Sequence, residues 1–536
     1  MESSYGKSRF LEIIPGAITW TILLLPIILS VINPYLMAYF ILIFIFYWFI
    51  KAIMMGFYLL SGYRHMKRSI NIDWLERLKK LENINQFLVE LEEEKKYLTG
   101  WRRKKAEEEI LELDGLKERI HILKDWQKIH HFIILPLYKE SFEILDTSVT
   151  AILGNDYPKH QVYIILAVEE RAGKEAMGKA LSLKEKYVHE FADFFIVVHP
   201  DNIVGELKAK GANINWALTH FLKQYLDRRQ IPYDDALVSI FDSDTRPHHR
   251  YLAALTYKYV VCPNRNRRSF QPIPLYSNNI WDVPMINRLV AFGSSFWQMI
   301  ESTRPYRLVN FSSQAMSFRL LFDIDFVDPT IVSEDSRHYY RAFFTFAGDH
   351  KTIPVFTPVH MDAVLAQGLW GTIKNQYYQK RRWAWGVEHI PYFILEARKH
   401  PEISGWEKFV QLLRLFEGHI SWATASLLIA FALWPLFLFN PEFSKTVIGH
   451  NIPTVIRTLL VLTWGGIVIS AVISTLLLPP RPQKYSRAKY LEMVFQWIFI
   501  PISAIFYGSI PAIDAQTRMM LGKYLGFWVT EKKFVK

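Results

Sequence analysis

The chain has 536 residues, enough for about two or three domains, with 51% hydrophobic residues, 21% charged residues and a formal net charge of +12. Its single cysteine, Cys262, excludes internal disulfides and cysteine-rich metal sites and points to a cytoplasmic soluble part. No basic, aromatic-studded module is present, which argues against nucleic acid, while the positive charge suits anionic lipid or anionic substrates.

Residues 15–60 are nearly all apolar, interrupted at Asn33-Pro34. A helix crossing the bilayer needs roughly 20 such residues. The stretch therefore predicts two membrane helices, about 15–32 and 35–60, in a hairpin within residues 1–64. Lys7 and Arg9 precede it and Arg64, His65, Lys67 and Arg68 follow, so both ends are expected in the cytoplasm. The protein is thus expected in the plasma (inner) membrane. Residues 65–127 are rich in Glu, Lys and Leu. Their leucines recur at three- and four-residue spacing, predicting a pair of amphipathic helices over 72–127. These either pack on the neighbouring domain or recruit a protein partner.

Residues 128–360 alternate strands with helices. Apolar runs at His131–Leu135, stopped by Pro136, and at Val162–Val168, Phe194–Val198 and Ala236–Ile240 read as strands, with Lys174–Phe191 and Asn213–Tyr225 as helices between them. Such alternation predicts an α/β domain with a mainly parallel sheet. Ligands of such sheets bind beyond the carboxyl ends of the strands. Tyr138 and Glu140 follow the first strand, and Glu169 and Glu170 the second. Asp242-Ser243-Asp244 follows the fourth, and Lys208 and Lys210 open a helix. Tyr138 could stack on a base, the glutamates accept bonds from base or ribose, and the lysines meet a diphosphate. The paired aspartates suit Mg²⁺ or Mn²⁺, which favours carboxylate and phosphate oxygens. Ser333-Glu334-Asp335 offers a carboxylate able to act as a general base.

Residues 361–410 are amphipathic and very aromatic, as interfacial helices are. Within them stands Gln379-Lys-Arg-Arg382-Trp383. There Arg382 could carry diphosphate charge and Trp383 offers a flat face to a sugar ring. Residues 411–512 hold apolar segments at about 417–439, 454–478 and 490–510. Basic clusters flank the last on both sides, so it is read as re-entrant at Pro501 or as a fifth crossing. Residues 513–536 form an interfacial tail.

Taken in order, these motifs resemble those of the membrane-integrated family 2 glycosyltransferases, which include the cellulose, hyaluronan and chitin synthases. The resemblance covers roughly 128–400. It implies a GT-A (Rossmann-like) catalytic domain inserted between transmembrane helices. It also implies inverting transfer from a nucleotide sugar, with a UDP-sugar as the expected donor, to a growing glycan. In it Asp242 holds the nucleotide side and Asp244 the metal. Asp335, beside Glu334, is the base. Gln379, Arg382 and Trp383 match the Gln-x-x-Arg-Trp motif of processive members. Phe527-Trp-Val-Thr530-Glu-Lys532 resembles the gating loop that closes over the donor. Two motifs depart from the family: Asp-Asp-Gly reads Glu169-Glu170-Arg171, and Thr-Glu-Asp reads Ser333-Glu334-Asp335. The membrane complement is short, which keeps open a transferase that adds one sugar to a lipid or lipid-linked acceptor. A catalytically silent scaffold is the third alternative.

Overall fold

The computed structural model describes residues 9–116 and 126–526. Its centre is one eight-stranded sheet. In chain order the strands are β1 (His130–Leu137), β2 (Val162–Glu169), β3 (Asp193–His199), β4 (Ala236–Ile240), β5 (Arg246–Pro247), β6 (Arg268–Leu275), β7 (Gln314–Ser317) and β8 (Lys351–His360). Their spatial order is β3-β2-β1-β4-β7-β6-β8-β5. The half from β3 to β4 is all parallel. Beyond β4 the sheet is mixed: β7 runs antiparallel to β4 and β6, β8 parallel to β6, and β5 antiparallel to β8. The sheet as a whole is therefore mixed, and its parallel character belongs to one half.

Side chains on β1 alternate between two cores, as the two-residue strand period requires. Ile133, Leu135 and Leu137 enter one with Val149, Leu183 and Tyr251, while Phe132 and Ile134 enter the other with Leu218, Leu222 and Phe318. Pro136, expected to stop β1, lies inside it, opposite Ala167 of β2. Ile134 accepts a bond from Phe241 on the β4 side, so Pro136, two residues on, turns its missing N–H toward that side as well. The ladder with β4 has ended at Ile134, so no bond is lost there.

The charged helices Trp74–Leu81, Ile84–Lys96 and Gly100–Asp114 pack on the body rather than standing apart. Trp74, Leu78, Leu81, Phe87, Leu91 and Leu113 are buried in the first core. Leucine spacing beyond Leu116 falls outside the described residues until Trp126.

Four helices among the described residues are long and apolar enough to cross a membrane: Arg9–Ile32, Pro34–Ser69, Val447–Leu476 and Lys489–Met520. The hairpin between the first two turns at Asn33, whose side chain accepts from the N–H groups of Tyr35 and Leu36, with Pro34 in the first helical position. The second helix runs on to Ser69, so Lys67 and Arg68 lie in its last turn. The 417–439 segment forms Gly405–Phe431 and Trp434–Phe439, the first charged along its early turns. Lys489–Met520 is continuously helical, but its turns tighten to 3₁₀ at Gln496–Phe499 and widen to π at Ala504–Ser509. Arg288, on Met285–Ser302 beside β6, bonds Gln496 at 2.9 Å and pairs with Glu492. Near the other end, Asp514 pairs with Arg381 at 2.9 Å.

Candidate active site

The carboxyl ends of β1, β2 and β4 share one edge of the parallel half, and a cleft opens there. Tyr138, Glu140, Glu169, Lys210, Asp242, Glu334, Asp335, Gln379, Arg382 and Trp383, separated by up to 245 positions in sequence, all line it. The remaining candidates lie elsewhere. Glu170 is exposed and accepts from the Asp201 N–H at 2.9 Å. Lys208 lines a smaller neighbouring hollow and pairs with Asp201 at 2.7 Å. The Asp244 carboxylate is fully buried behind the cleft wall, where Oδ2 accepts from the Asp362 N–H at 2.9 Å. Phe527, Thr530 and Lys532 lie outside the described residues.

Lys210 is the hub. Its ammonium stands 2.6 Å from Asp242 Oδ1 and 3.8 Å from both Glu334 Oε1 and Asp335 Oδ1. Burial alone would lower its pKa, but the carboxylates of Asp242, Asp335 and Glu334 outweigh burial and hold it well above the usual lysine value. Gly211 makes this approach possible. A Cβ there would sit 3.2 Å from Glu334 Cβ and 3.4 Å from the Asp328 carbonyl. Asp242 is fixed further by Ser312, whose hydroxyl donates to Oδ2 at 2.6 Å.

Glu334 and Asp335 occupy the first turn of helix Glu334–Thr345, where the helix dipole favours negative charge. Burial nevertheless dominates. It raises Glu334 to about 7, with the Asp335 carboxylate adding to the shift and Lys210 and Arg382 opposing it. Asp335 is raised for the same first reason, and Gln314 Nε2, 3.2 Å away, steadies its Oδ1. The Gln314 amide is anchored in turn on His338 Nδ1 at 2.8 Å, an imidazole kept neutral by burial.

Gln379, Arg382 and Trp383 lie three and four residues apart on Gly368–Ala384, hence on one face. The Trp383 ring packs edge-on against Phe311 at 5.6 Å and tilts over Tyr276 at 6.2 Å. On its other side the Lys380 ammonium stands 4.8 Å from the Trp383 ring centre and 5.0 Å from that of Trp422, on Gly405–Phe431. The cleft thus meets the apolar helices at an aromatic wall. At its far end the Arg171 guanidinium lies 4.4 Å over the Tyr138 ring and pairs with Glu169.

Glu140 caps its own turn, accepting from the Tyr138 N–H at 2.7 Å and the Lys139 N–H at 3.0 Å, which gives it a structural task beside any contact with ligand. Tyr276, Ser312, Gln314 and Asp362 were not singled out from sequence. Of these only Asp362, a carboxylate just past the end of β8, carried a strand-end signal, and β8 itself was not foreseen.

Among the described residues no three His, Cys, Asp or Glu side chains form a cluster able to hold a metal ion. Asp242 and Asp244 offer only hard carboxylate oxygens, the donor type of a Mg²⁺ or Mn²⁺ that takes most of its shell from phosphate oxygens and water rather than from a protein cage.

No family model and no curated protein matches the chain. Among solved structures, it resembles the mannosyltransferase PcManGT from Pyrobaculum calidifontis in complex with GDP-Man and Mn²⁺. That match has 13% identity and a TM-score of 0.38, over 65% of this chain and 87% of that one. The S. aureus TarS fragment 1–349 in complex with UDP-GlcNAc matches with 12% identity and a TM-score of 0.34, over 66% and 93%. Likeness at this level assigns no function.

Proposed function

We propose that the chain is a membrane-embedded glycosyltransferase that moves a sugar, with inversion, from a nucleoside diphosphate donor to a growing glycan. One observation carries this reading: a buried acid pair, a lysine hub, a strand-end aspartate, an arginine and a sugar-sized indole converge on one cleft against apolar helices. UDP is the favoured nucleotide, on the family resemblance alone.

In this reading Tyr138 and Glu169 face the base, and the diphosphate lies toward Asp242, Lys210 and Arg382. The acceptor sugar stacks on Trp383 and directs a hydroxyl to Asp335. That oxygen attacks the anomeric carbon, the bond to the diphosphate breaks on the opposite face, and the hydroxyl proton passes to Asp335. The departing diphosphate gains negative charge, which Lys210 and Arg382 offset where it develops. A bound Mg²⁺ or Mn²⁺, held by Asp242 and Asp244, would supply further neutralisation of that charge. No second carboxylate stands assigned as a covalent nucleophile, so a single displacement is the simpler route. The aromatic wall from Tyr276 through Trp383 to Trp422 favours a glycan acceptor over a small one.

The irregular helix Lys489–Met520 fits a re-entrant element with both ends in the cytoplasm, because each end bonds elements that pack with the sheet-bearing body. Backbone irregularity of this kind is tolerated within a membrane where protein covers it.

Asp335→Asn tests the central assignment. Transfer should fall by a factor of about 100 or more, within the range of general-base loss, while donor binding stays within about twofold. Equal loss of binding and transfer would remove Asp335 as the base.

A further inference from the structure

The catalytic turn is clamped from outside the cleft by the segment that follows the Gln379–Trp383 motif. Three successive contacts make the clamp. The Ser333 N–H donates to Glu388 Oε1 at 3.3 Å, Ser336 Oγ bonds His389 Nε2 at 2.6 Å, and the buried Arg337 guanidinium lies 3.9 Å over the Tyr392 ring. Glu388 holds both sides, because its Oε2 also accepts from the Trp385 indole N–H at 3.0 Å. Trp385 and Glu388 belong to the tight turn Trp385–Glu388 that ends the helix carrying Gln379, Arg382 and Trp383. Glu334 and Asp335 directly follow Ser333. A single carboxylate therefore joins the first turn of the base helix to the end of the acceptor helix.

We propose that Glu388 is a positioning residue for the transfer step. It couples the place of Asp335 to the place of the Trp383 helix, so that an acceptor seated on Trp383 meets its base in register. This rests on the transferase reading above. The physical need is specific. Orientation of a base against its hydroxyl controls much of the barrier, and a misplacement of about 1 Å costs roughly 100-fold in rate. Ser333 gives its own helix no side-chain cap, so the Glu388 bond to its N–H takes part of that task. Burial holds the Glu388 carboxyl above its usual range and the nearby Arg337 charge opposes that shift, so the group sits in a dry, charge-balanced site rather than on a solvated face. Nothing places Glu388 in the cleft itself. Its effect must therefore reach the reaction through the helices it joins.

The full chain in lipid nanodiscs provides the test, with Glu388→Ala, Glu388→Gln and His389→Ala compared with wild type. Sugar transfer and donor binding are followed across pH 5 to 9 with Mg²⁺ or Mn²⁺. For Glu388→Ala, kcat should fall roughly 10- to 100-fold with the donor KM within about twofold, the signature of a displaced base. Glu388→Gln keeps one acceptor oxygen, for the Ser333 N–H or the Trp385 indole but not both, and turns an amide NH₂ toward the other donor, so it should recover only part of the loss. His389→Ala, which leaves both Glu388 bonds intact, should fall between them. A Glu388→Ala enzyme as fast as wild type would overturn the inference alone. So would a donor KM that rises as much as kcat falls, or a glutamine variant no better than alanine. A wild-type chain that transfers no sugar from any nucleotide donor would instead overturn the transferase reading, and this inference with it.

Discussion

Lys210 and Asp335 face each other across 3.8 Å, and the same ammonium reaches Glu334 at 3.8 Å and Asp242 at 2.6 Å. Three carboxylates crowd one buried cation. They lift its pKa, and it holds those of Glu334 and Asp335 below what burial alone would set. Burial thus sets the direction of proton uptake by the acid pair, and Lys210 opposes it.

Removing that charge gives a directional result. In Lys210→Met the carboxylates lose their nearest cation, so Asp335 binds its proton more tightly. A general base works only when deprotonated, so activity is lost as pH falls through its pKa. The acid limb of the kcat profile should move upward by about one pH unit, with a large drop in rate at neutral pH. A pH–rate profile of the variant checks this, and an unmoved limb would separate Lys210 from the base.

Glu334 should leave that limb in place. The Asp335 carboxylate adds to the rise of Glu334 to about 7, while the carboxylate that raises Asp335 is that of Asp242. Asp335 thus ionises while Glu334 is still protonated, so Glu334→Gln, equally neutral there, should not move the acid limb. The Lys210 and Glu334 profiles, measured side by side, should diverge. A limb that moves in Glu334→Gln as it does in Lys210→Met would mean that Glu334 ionises before Asp335.

The re-entrant reading of Lys489–Met520 makes a topology prediction. Ser486 and Lys523 are exposed at its two ends. In a Cys262→Ser background, Ser486→Cys and Lys523→Cys should both resist an impermeant thiol reagent applied outside intact cells, and both should label once the cells are opened. External labelling of one alone would mean that the segment crosses.

The sequence made one half of the sheet legible and hid the other. β1 to β4 are continuous apolar runs, the pattern of strands buried on both faces. β6 and β8 carry Pro272, Pro274, Pro354 and Pro358, which argue against a strand when read locally. These strands tolerate them where the β6–β8 register shifts at Pro272 and along stretches paired on one side only. β7 has four residues and no β-type composition. In the cleft, residues at strand ends were readable because strand ends are where such sheets bind ligands. Gln314, Tyr276 and Glu388 were not readable, because their roles depend on contacts between segments far apart in the chain. Asp242 and Asp244 looked equivalent as an Asp-x-Asp pair. Folding separates them, because the chain turns after β4 and leaves Asp242 on the cleft wall and Asp244 beneath it.

The most direct measurement of the central claim places the full chain in nanodiscs with a panel of UDP- and GDP-sugars and Mg²⁺ or Mn²⁺. Nucleotide release is followed, the product is sized, and Asp335→Asn serves as control. A transferase of this kind gives cation-dependent release from one donor, a product many sugars long, and silence in the control. Release that persists in Asp335→Asn, or no release from any donor with glycan and lipid acceptors supplied, would contradict that claim.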